Sequence, residues 1–442
     1  MLVLVLASHA GYTLRRLQID LTPLPLSERI YQSASFALVF WLSVLAVGLY
    51  QRDACRDFGV SIVRTGVAII LSFIVLSGIY YIFPSVTEWR SILVYSYGLA
   101  ALGLLTTRYL FSRVVDLDGF KQRVLVIGAG RRAARMIELA NDGSAHGFVI
   151  AGCLRVTGAP PVVADCHELR DLNSLCEYAV QNRADEIVTA VDERRGTLPV
   201  TALVECRLEG LSVIDFPDFM ERETGKVDID TLSPGWLLFA DGFVGGRGHK
   251  ILKRVFDIGV SLLFLVFSLP LLVFTAMAVK LTSKGPVFYR QERVGERGRS
   301  FRLLKFRSMR QDAESDGVPK WAARGDHRVT AVGRFIRLTR IDELPQIFNV
   351  LKGDMSFVGP RPERPFFVKS LVEQLPYYME RHEVKPGITG WAQLNFPYGS
   401  SIGDAREKLQ YDLFYIKNFT MLLDFLILLQ TVRVILFVDG AR

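Results

Sequence analysis

Asp342 and Glu343 are adjacent carboxylates. They follow a string of arginines, Arg324, Arg328, Arg334, Arg337 and Arg340, and precede a rigid Gly-Pro-Arg-Pro turn at 359–362 that carries Arg361. Lys305 and Arg307, in KFRSM at 305–309, add two cations near the end of a strand-like segment. Arginine grips phosphate through a planar fork of donors. Mg²⁺ is satisfied by a few carboxylate oxygens together with phosphate oxygens. On a helix, neighbouring side chains diverge by roughly 100°, so one acid can attack while the other holds the metal. Cations around a diphosphate would also stabilise charge developing on a leaving group. An isolated Asp-Glu pair is an ordinary solvated surface feature; the arginines and the fixed turn point instead to phosphate chemistry.

The elements that must hold these residues are strongly apolar. Half of the 442 residues are hydrophobic, and the net charge is +8. Residues 33–50, 61–83 and 91–111 are about the length needed to cross a bilayer. Arg52 and Arg56 follow the first, the loop 84–89 has no Lys or Arg, and Arg108, Arg113, Lys121 and Arg123 follow the third. The positive-inside rule then predicts a cytoplasmic loop at 51–60 and a cytoplasmic remainder after 112. It leaves Arg15 and Arg16 outside, which the rule does not favour. The apolar start, residues 1–6, is too short to span and has no basic region before it, so it does not resemble a signal peptide. Either an earlier helix or a misplaced start codon would account for it. With membrane segments present, the positive charge suits anionic lipid and phosphate-bearing substrates better than nucleic acid. Five cysteines without C-x-x-C spacing suggest reduced cytoplasmic thiols.

Residues 119–220 alternate strand-like and helix-like segments, which predicts a doubly wound α/β domain. RVLVIGAG at 123–130 ends in a glycine turn, and Gly128, Gly130 and Ala133 fit G-x-G-x-x-A between a strand and a helix. The acidic residue that should follow the second strand is missing from 148–157, so nucleotide binding at Gly128 and Gly130 is a weak expectation. Arg131 and Arg132 could hold a phosphate instead. A linker at 221–247 leads to the apolar run 255–281, which is basic at both ends and has Pro270 in its middle. Both flanks favour the cytoplasm, so a helix–break–helix that enters the membrane and returns is expected, with Ser268 able to satisfy the backbone freed at the break. The apolar 419–438, interrupted by Asp424, Gln430 and Arg433, is expected to lie on the membrane or pack on the domain.

These motifs carry a resemblance. Residues 255–442 resemble the bacterial sugar transferase family, the monotopic polyprenyl-phosphate phosphoglycosyl transferases. The matching blocks are GPVFYRQER at 285–293, KFRSM, DELPQ at 342–346, FNVLKGDMSFVGPRP at 348–362 and KPGITGWAQ at 385–393. The whole chain resembles the family's long form, which occurs in exopolysaccharide initiation. ERETGKV at 221–227 and AVDERRG at 190–196 are similar to the subgroup associated with PEP-CTERM and exosortase systems.

The resemblance implies three parts. Transmembrane helices occupy 1–112, and a Rossmann-like, CoA-binding-type α/β domain lies at 119–220. A mostly α, monotopic catalytic domain follows at 248–442, with a re-entrant helix at 255–281. It implies Asp342 as nucleophile on the sugar-bearing phosphate of a UDP-sugar, with UMP expelled and the phosphosugar passed to polyprenyl phosphate. Glu343 would bind Mg²⁺ with Asp342 beside it, while Arg337, Arg361, Lys305 and Arg307 bind substrate phosphate. The implied setting is the bacterial inner membrane, with membrane lipid around the chain, the catalytic domain in the cytoplasm and a homodimer as one assembly. The chain departs from the family at Ser268-Leu269-Pro270, where a Ser-Pro pair is usual, and at Leu394-Asn395-Phe396 after WAQ. Two other functions fit parts of the chain: a membrane-tethered NAD-dependent sugar-nucleotide dehydratase and a non-catalytic assembly scaffold. The dehydratase would need a second glycine-rich fingerprint and a Tyr-x-x-x-Lys pair, and neither occurs after residue 230.

Overall fold

The computed structural model describes residues 1–19, 24–51, 54, 57–114, 121–141, 147–155, 162–163, 166–168, 174–192, 198–232, 246–310, 328–396, 399 and 401–437. Arg52, Cys55, Arg56, Trp321, Arg324 and His327, and residues 193–196 of AVDERRG, lie outside these. The chain forms two compact units, one of residues 1–115 with 241–442 and one of residues 116–240.

Among the described residues, the first unit opens with the helices α1 (Leu2–Gln18), α2 (Leu26–Ala46), α3 (Phe58–Ile82) and α4 (Arg90–Val114). The three expected spans are helical as α2, α3 and α4. The apolar start forms the first turns of α1. Its residues Leu4, Ala7 and Tyr12 are buried at helical spacing, and α1 packs on α4 and α2. Among the described residues, three helical stretches are long and apolar enough to cross a membrane: Ser27–Ala46, Phe58–Ile82 and Gly248–Thr282. The segment at 91–111 has the length, within the 25-residue α4, but falls outside that set. The carbonyls past the end of α2 receive arginines, as a helix C-terminus favours. Arg64 donates to Gly48 O (2.6 Å) and Arg108 to Leu49 O (3.1 Å).

The second unit is a five-stranded parallel sheet in the order β3-β2-β1-β4-β5. Its elements are β1 (Gln122–Ile127), α5 (Arg131–Asn141), β2 (Phe148–Arg155), β3 (His167–Glu168), α6 (Leu175–Gln181), β4 (Glu186–Thr189), α7 (Val200–Leu208), β5 (Ser212–Asp215) and α8 (Phe216–Thr224). Apolar clusters cover both faces, as a doubly wound sheet requires. The expected domain is present but extends further: α8 continues into residues assigned to the linker, and Arg222 there clamps Glu186 of β4 through two bonds (3.0 and 2.7 Å). The thiols differ from expectation. Cys153 is bonded to Cys166 and Cys176 to Cys206, with Cα separations of 4.6 and 5.2 Å. Separations of 13 and 30 residues carry no motif; the β2–β3 pairing and the packing of α6 on α7 bring the partners together.

The first unit resumes with α9 (Arg247–Thr282), then β6 (Phe288–Val294), β7 (Ser300–Phe306), α10 (Ala331–Leu338), α11 (Gln346–Lys352) and β8 (Ser356–Val358). It closes with α12 (Pro365–Gln374), β9 (Gly387–Thr389), α13 (Trp391–Asn395), α14 (Ile402–Lys417) and α15 (Met421–Phe437). Strands β6 and β7 form an antiparallel hairpin, and β8 pairs with β9 in parallel. Helical structure continues through Pro270, rather than breaking there. Ser268 Oγ has no partner among the described residues, so it does not take the expected bond.

Both ends of α9 are held by this domain. Near its start, Lys253 Nζ donates to Asp424 Oδ2 of α15 (2.6 Å), and Asp257 accepts from Ser356 Oγ (3.0 Å) and Phe357 N (3.1 Å). At its far end, Val279 packs with Phe306 and Ile336, and Arg307 donates to Ser283 O (2.8 Å). Helix α15 packs on the domain, as expected, with Asp424 fully buried and Tyr415 donating to it (2.7 Å). Replacing Asp424 with Ala removes the shorter of the two ion pairs of buried Lys253, leaving it Asp257 at 3.3 Å, and also removes the acceptor of the Tyr415 hydroxyl. The expected cost is about 1–3 kcal/mol, checked by thermal or denaturant unfolding of the detergent-solubilised chain.

Candidate active site

Helix α10 is capped by Thr330, whose hydroxyl accepts from Gly333 N (2.9 Å), and ends at Leu338. Arg340 then takes a left-handed conformation (φ 59°) that turns the chain sharply into a single 3₁₀ turn, Ile341–Glu343. The acid pair therefore stands on a tight turn and not on an α-helix. With about three residues per turn its side chains still diverge. Asp342 is 8% exposed and Glu343 9%.

Glu343 Oε1 accepts from Lys305 Nζ (2.9 Å) and Arg361 Nη2 (2.6 Å). These cations come from separate elements, each fixed by its own contacts. Lys305 lies on β7, which is docked on α11 by Asn349: its side chain accepts from Leu304 N (2.9 Å) and donates to Arg302 O (2.8 Å). Arg361 follows β8. Its carbonyl accepts from Arg381 Nη2 (2.9 Å), and Arg381 is itself paired with Asp412 (2.8 Å), both buried. The Gly-Pro-Arg-Pro turn is rigid because backbone meets backbone. Gly359 N donates to Thr389 O and Gly387 N to Pro360 O, each at 2.9 Å. A Cβ at Gly390 would lie 2.2 Å from Gly359 O, so only glycine fits there.

The two carboxylates are electrically unequal. Burial, and then the Glu343 charge beside it, pushes Asp342 up to about 6. Burial also acts to raise Glu343, but the Arg361 and Lys305 charges and the Arg361 hydrogen bond outweigh it and hold Glu343 well below the usual carboxylate range. Arg340 lowers both acids. Burial lowers Lys305, partly offset by Glu343. Asp342 makes no hydrogen bond or ion pair with a described residue, so its oxygens are uncommitted.

Of the expected residues, the fold joins Asp342, Glu343, Lys305 and Arg361. Arg337 is half-buried on α10 and is not bonded to the pair. Arg307 is buried and turned to Ser283 Oγ (2.7 Å) as well as its carbonyl. Gly128 and Gly130 belong to the other compact unit. Arg340 stood in the arginine string, but nothing in the string marked it as the member acting on both acids. Asn349 lay unassigned within a quoted block, and Arg381 and Asp412 belong to no motif.

The acids could hold a small divalent cation. Both offer hard oxygens, and the one bonded oxygen of Glu343 is Oε1. No cluster of three or more His, Cys, Asp or Glu ligands occurs among the described residues. Mg²⁺ keeps waters and takes substrate phosphates in place of a full protein cage. Beside the pair opens a cavity of about 270 Å³. Arg340, Glu343 and Arg361 line it, with apolar walls that include Phe264 of α9 and Leu428 of α15.

Comparisons with known proteins match both halves of the chain. A bacterial sugar transferase profile matches residues 248–438, and a CoA-binding domain profile matches 45–197. The undecaprenyl-phosphate galactose phosphotransferase of Salmonella typhimurium is 30% identical over 382 residues, covering 80% of this chain and 77% of the relative. The chain belongs to the bacterial sugar transferase family.

Within that family it is also similar to the UDP-N-acetylgalactosamine-undecaprenyl-phosphate N-acetylgalactosaminephosphotransferase of Aeromonas hydrophila. The two are 45% identical over 240 residues, covering 54% of this chain and 56% of that relative. An uncharacterized sugar transferase of Bacillus subtilis, EpsL, is 43% identical over 198 residues, covering 43% of this chain but 91% of its own length. The chain spans little more than half the length of some curated relatives, 56% of the Aeromonas protein and 58% of the undecaprenyl-phosphate glucose phosphotransferase of Komagataeibacter xylinus. Glycine at 390 is a tight requirement of this site: Gly390→Ala should lower stability by about 1–3 kcal/mol through overpacking, measured as a lower unfolding midpoint.

Proposed function

We propose that this sugar transferase moves a sugar phosphate from a UDP-sugar to polyprenyl phosphate. The reading is carried by one observation: Asp342 is a buried, uncommitted carboxylate beside Glu343, which is tied to Lys305 and Arg361. An Asp342 oxygen attacks the sugar-bearing phosphorus as the bond from that phosphorus to UMP breaks. A phosphate oxygen of the polyprenyl phosphate then attacks the same phosphorus. This releases Asp342 and leaves the sugar on a lipid diphosphate. Covalent catalysis lets two large substrates from different phases react one at a time.

Lys305, Arg340 and Arg361 are the cations available to the diphosphate. Glu343, with Asp342 next to it, would hold Mg²⁺, which when bound would neutralise phosphate charge. The apolar walls of the cavity and the exposed apolar surface of α9 suit an acceptor whose chain lies in the bilayer. Anchorage of both ends of α9 on one domain supports placing both ends on the same side of the membrane, the cytoplasmic face of the inner membrane, where UDP-sugars are found. The names of the relatives support undecaprenyl phosphate as acceptor.

Asp342→Asn should lose on the order of 10⁴-fold or more in UMP release from UDP-sugars with Mg²⁺ and polyprenyl phosphate; a native rate would sink the mechanism. The attacking carboxylate must be ionised, so kcat/KM should fall as pH drops through about 6, by tenfold per unit below it. Glu343→Gln removes the neighbouring negative charge that helps raise Asp342. Its residual activity should therefore show the acid limb at lower pH, read from the pH profile.

A further inference from the structure

The glycine turn of the α/β unit has the outline of a dinucleotide site: a strand, then Gly128 and Gly130, then the N-terminus of α5. In such sites the second glycine lets a pyrophosphate approach the backbone, and the helix amides and dipole hold its charge. Here those amides are already occupied. Asp192 Oδ2 accepts from Arg131 N (2.9 Å) and Oδ1 from Arg132 N (3.1 Å). A Cβ at Gly130 would lie 2.1 Å from Asp192 Oδ2. The space that glycine keeps open is filled by this carboxylate.

The neighbouring contacts act the same way. Gly128 has φ +127°, and a Cβ there would lie 2.5 Å from Ala190 O, so the chain leaving β4 presses on the turn. Arg132, a candidate phosphate ligand by sequence, donates to Val191 O (3.0 Å) and lies over the Phe216 ring. Both glycines are thus required by the protein's own chain, without any bound nucleotide. A carboxylate at a helix N-terminus satisfies orphan amides and opposes the positive end of the dipole as a phosphate would.

We infer that Asp192 stands in for the ligand phosphate, and that this unit is closed to dinucleotides and to coenzyme A at its glycine turn. The matching profile's description as a CoA-binding domain then describes the ancestry of the fold and not an activity of this chain. A phosphate could enter only by displacing a like charge that already holds both amides.

The test is amide hydrogen exchange read by mass spectrometry on the detergent-solubilised full chain, with NAD⁺, coenzyme A or inorganic pyrophosphate as probes. In the native chain none of the three should slow exchange of the peptide 129–135. In Asp192→Ala that peptide should exchange about tenfold faster or more, as loss of a charge-assisted hydrogen bond implies, and pyrophosphate should slow it again. Following this one peptide separates the glycine turn from binding at the acid pair. Slowed exchange in the native chain with any probe would overturn the inference. So would native-rate exchange in Asp192→Ala, or no response of that variant to pyrophosphate. If Asp192→Ala cannot be isolated, Asp192→Asn decides, since it keeps an acceptor but loses the charge: faster exchange in the peptide supports the inference and a native rate overturns it.

Discussion

Two adjacent buried carboxylates repel each other, and both cannot stay ionised in a dry site unless cations are supplied to one of them. The structure meets that constraint on Glu343, whose Oε1 carries Lys305 and Arg361 together. The consequence is a division of character within one turn. Glu343 is held as a fixed anion, while Asp342 stays uncommitted and is pushed up to about 6. Much of the catalytic domain can be understood as what must be rigid for this to hold: Asn349 for the strand bearing Lys305, and Arg381 with Asp412 for the turn bearing Arg361.

The same unit is tied to its apolar helices by buried polar contacts. Lys253, Asp257 and Asp424 join the start of α9 to β8 and α15. Helix α15 reaches the N-terminal bundle as well: Arg433 bonds Gln51, and Phe437 packs against the bundle core with the Arg64 guanidinium 5.9 Å from its ring centroid. One helix thus touches the bundle, the anchor of α9 and the wall of the cavity beside the acid pair. Polar clamps of this kind add little as isolated pairs, but they specify one arrangement because every alternative leaves a charge unpaired.

The α/β unit shows how a motif can outlast the reason usually given for it. Gly128 and Gly130 are demanded by close approach of Ala190 and Asp192, within the unit's own fold. A glycine pattern records that something must come near the backbone and does not record what.

Strand and helix periodicities determined the alternating α/β unit, and apolar length determined α2, α3 and the long α9. They stopped short at α1, where only six residues are strongly apolar and the rest of the stripe shows up as burial against α4. The order of the motifs determined the family and singled out the Asp342–Glu343 pair, because residue type alone limits which chemistry is possible. Which cations serve that pair was decided by the tertiary structure. Lys305, Arg361 and Arg340 were all visible beside Arg337 and Arg307, and nothing in sequence spacing distinguishes a guanidinium aimed at Glu343 from one aimed at Ser283. The same holds for the cysteine pairs and for Asp192, whose partners lie 13 to 61 residues away in sequence. Local sequence sets conformation and charge; distance in space between remote segments exists only once the chain has packed.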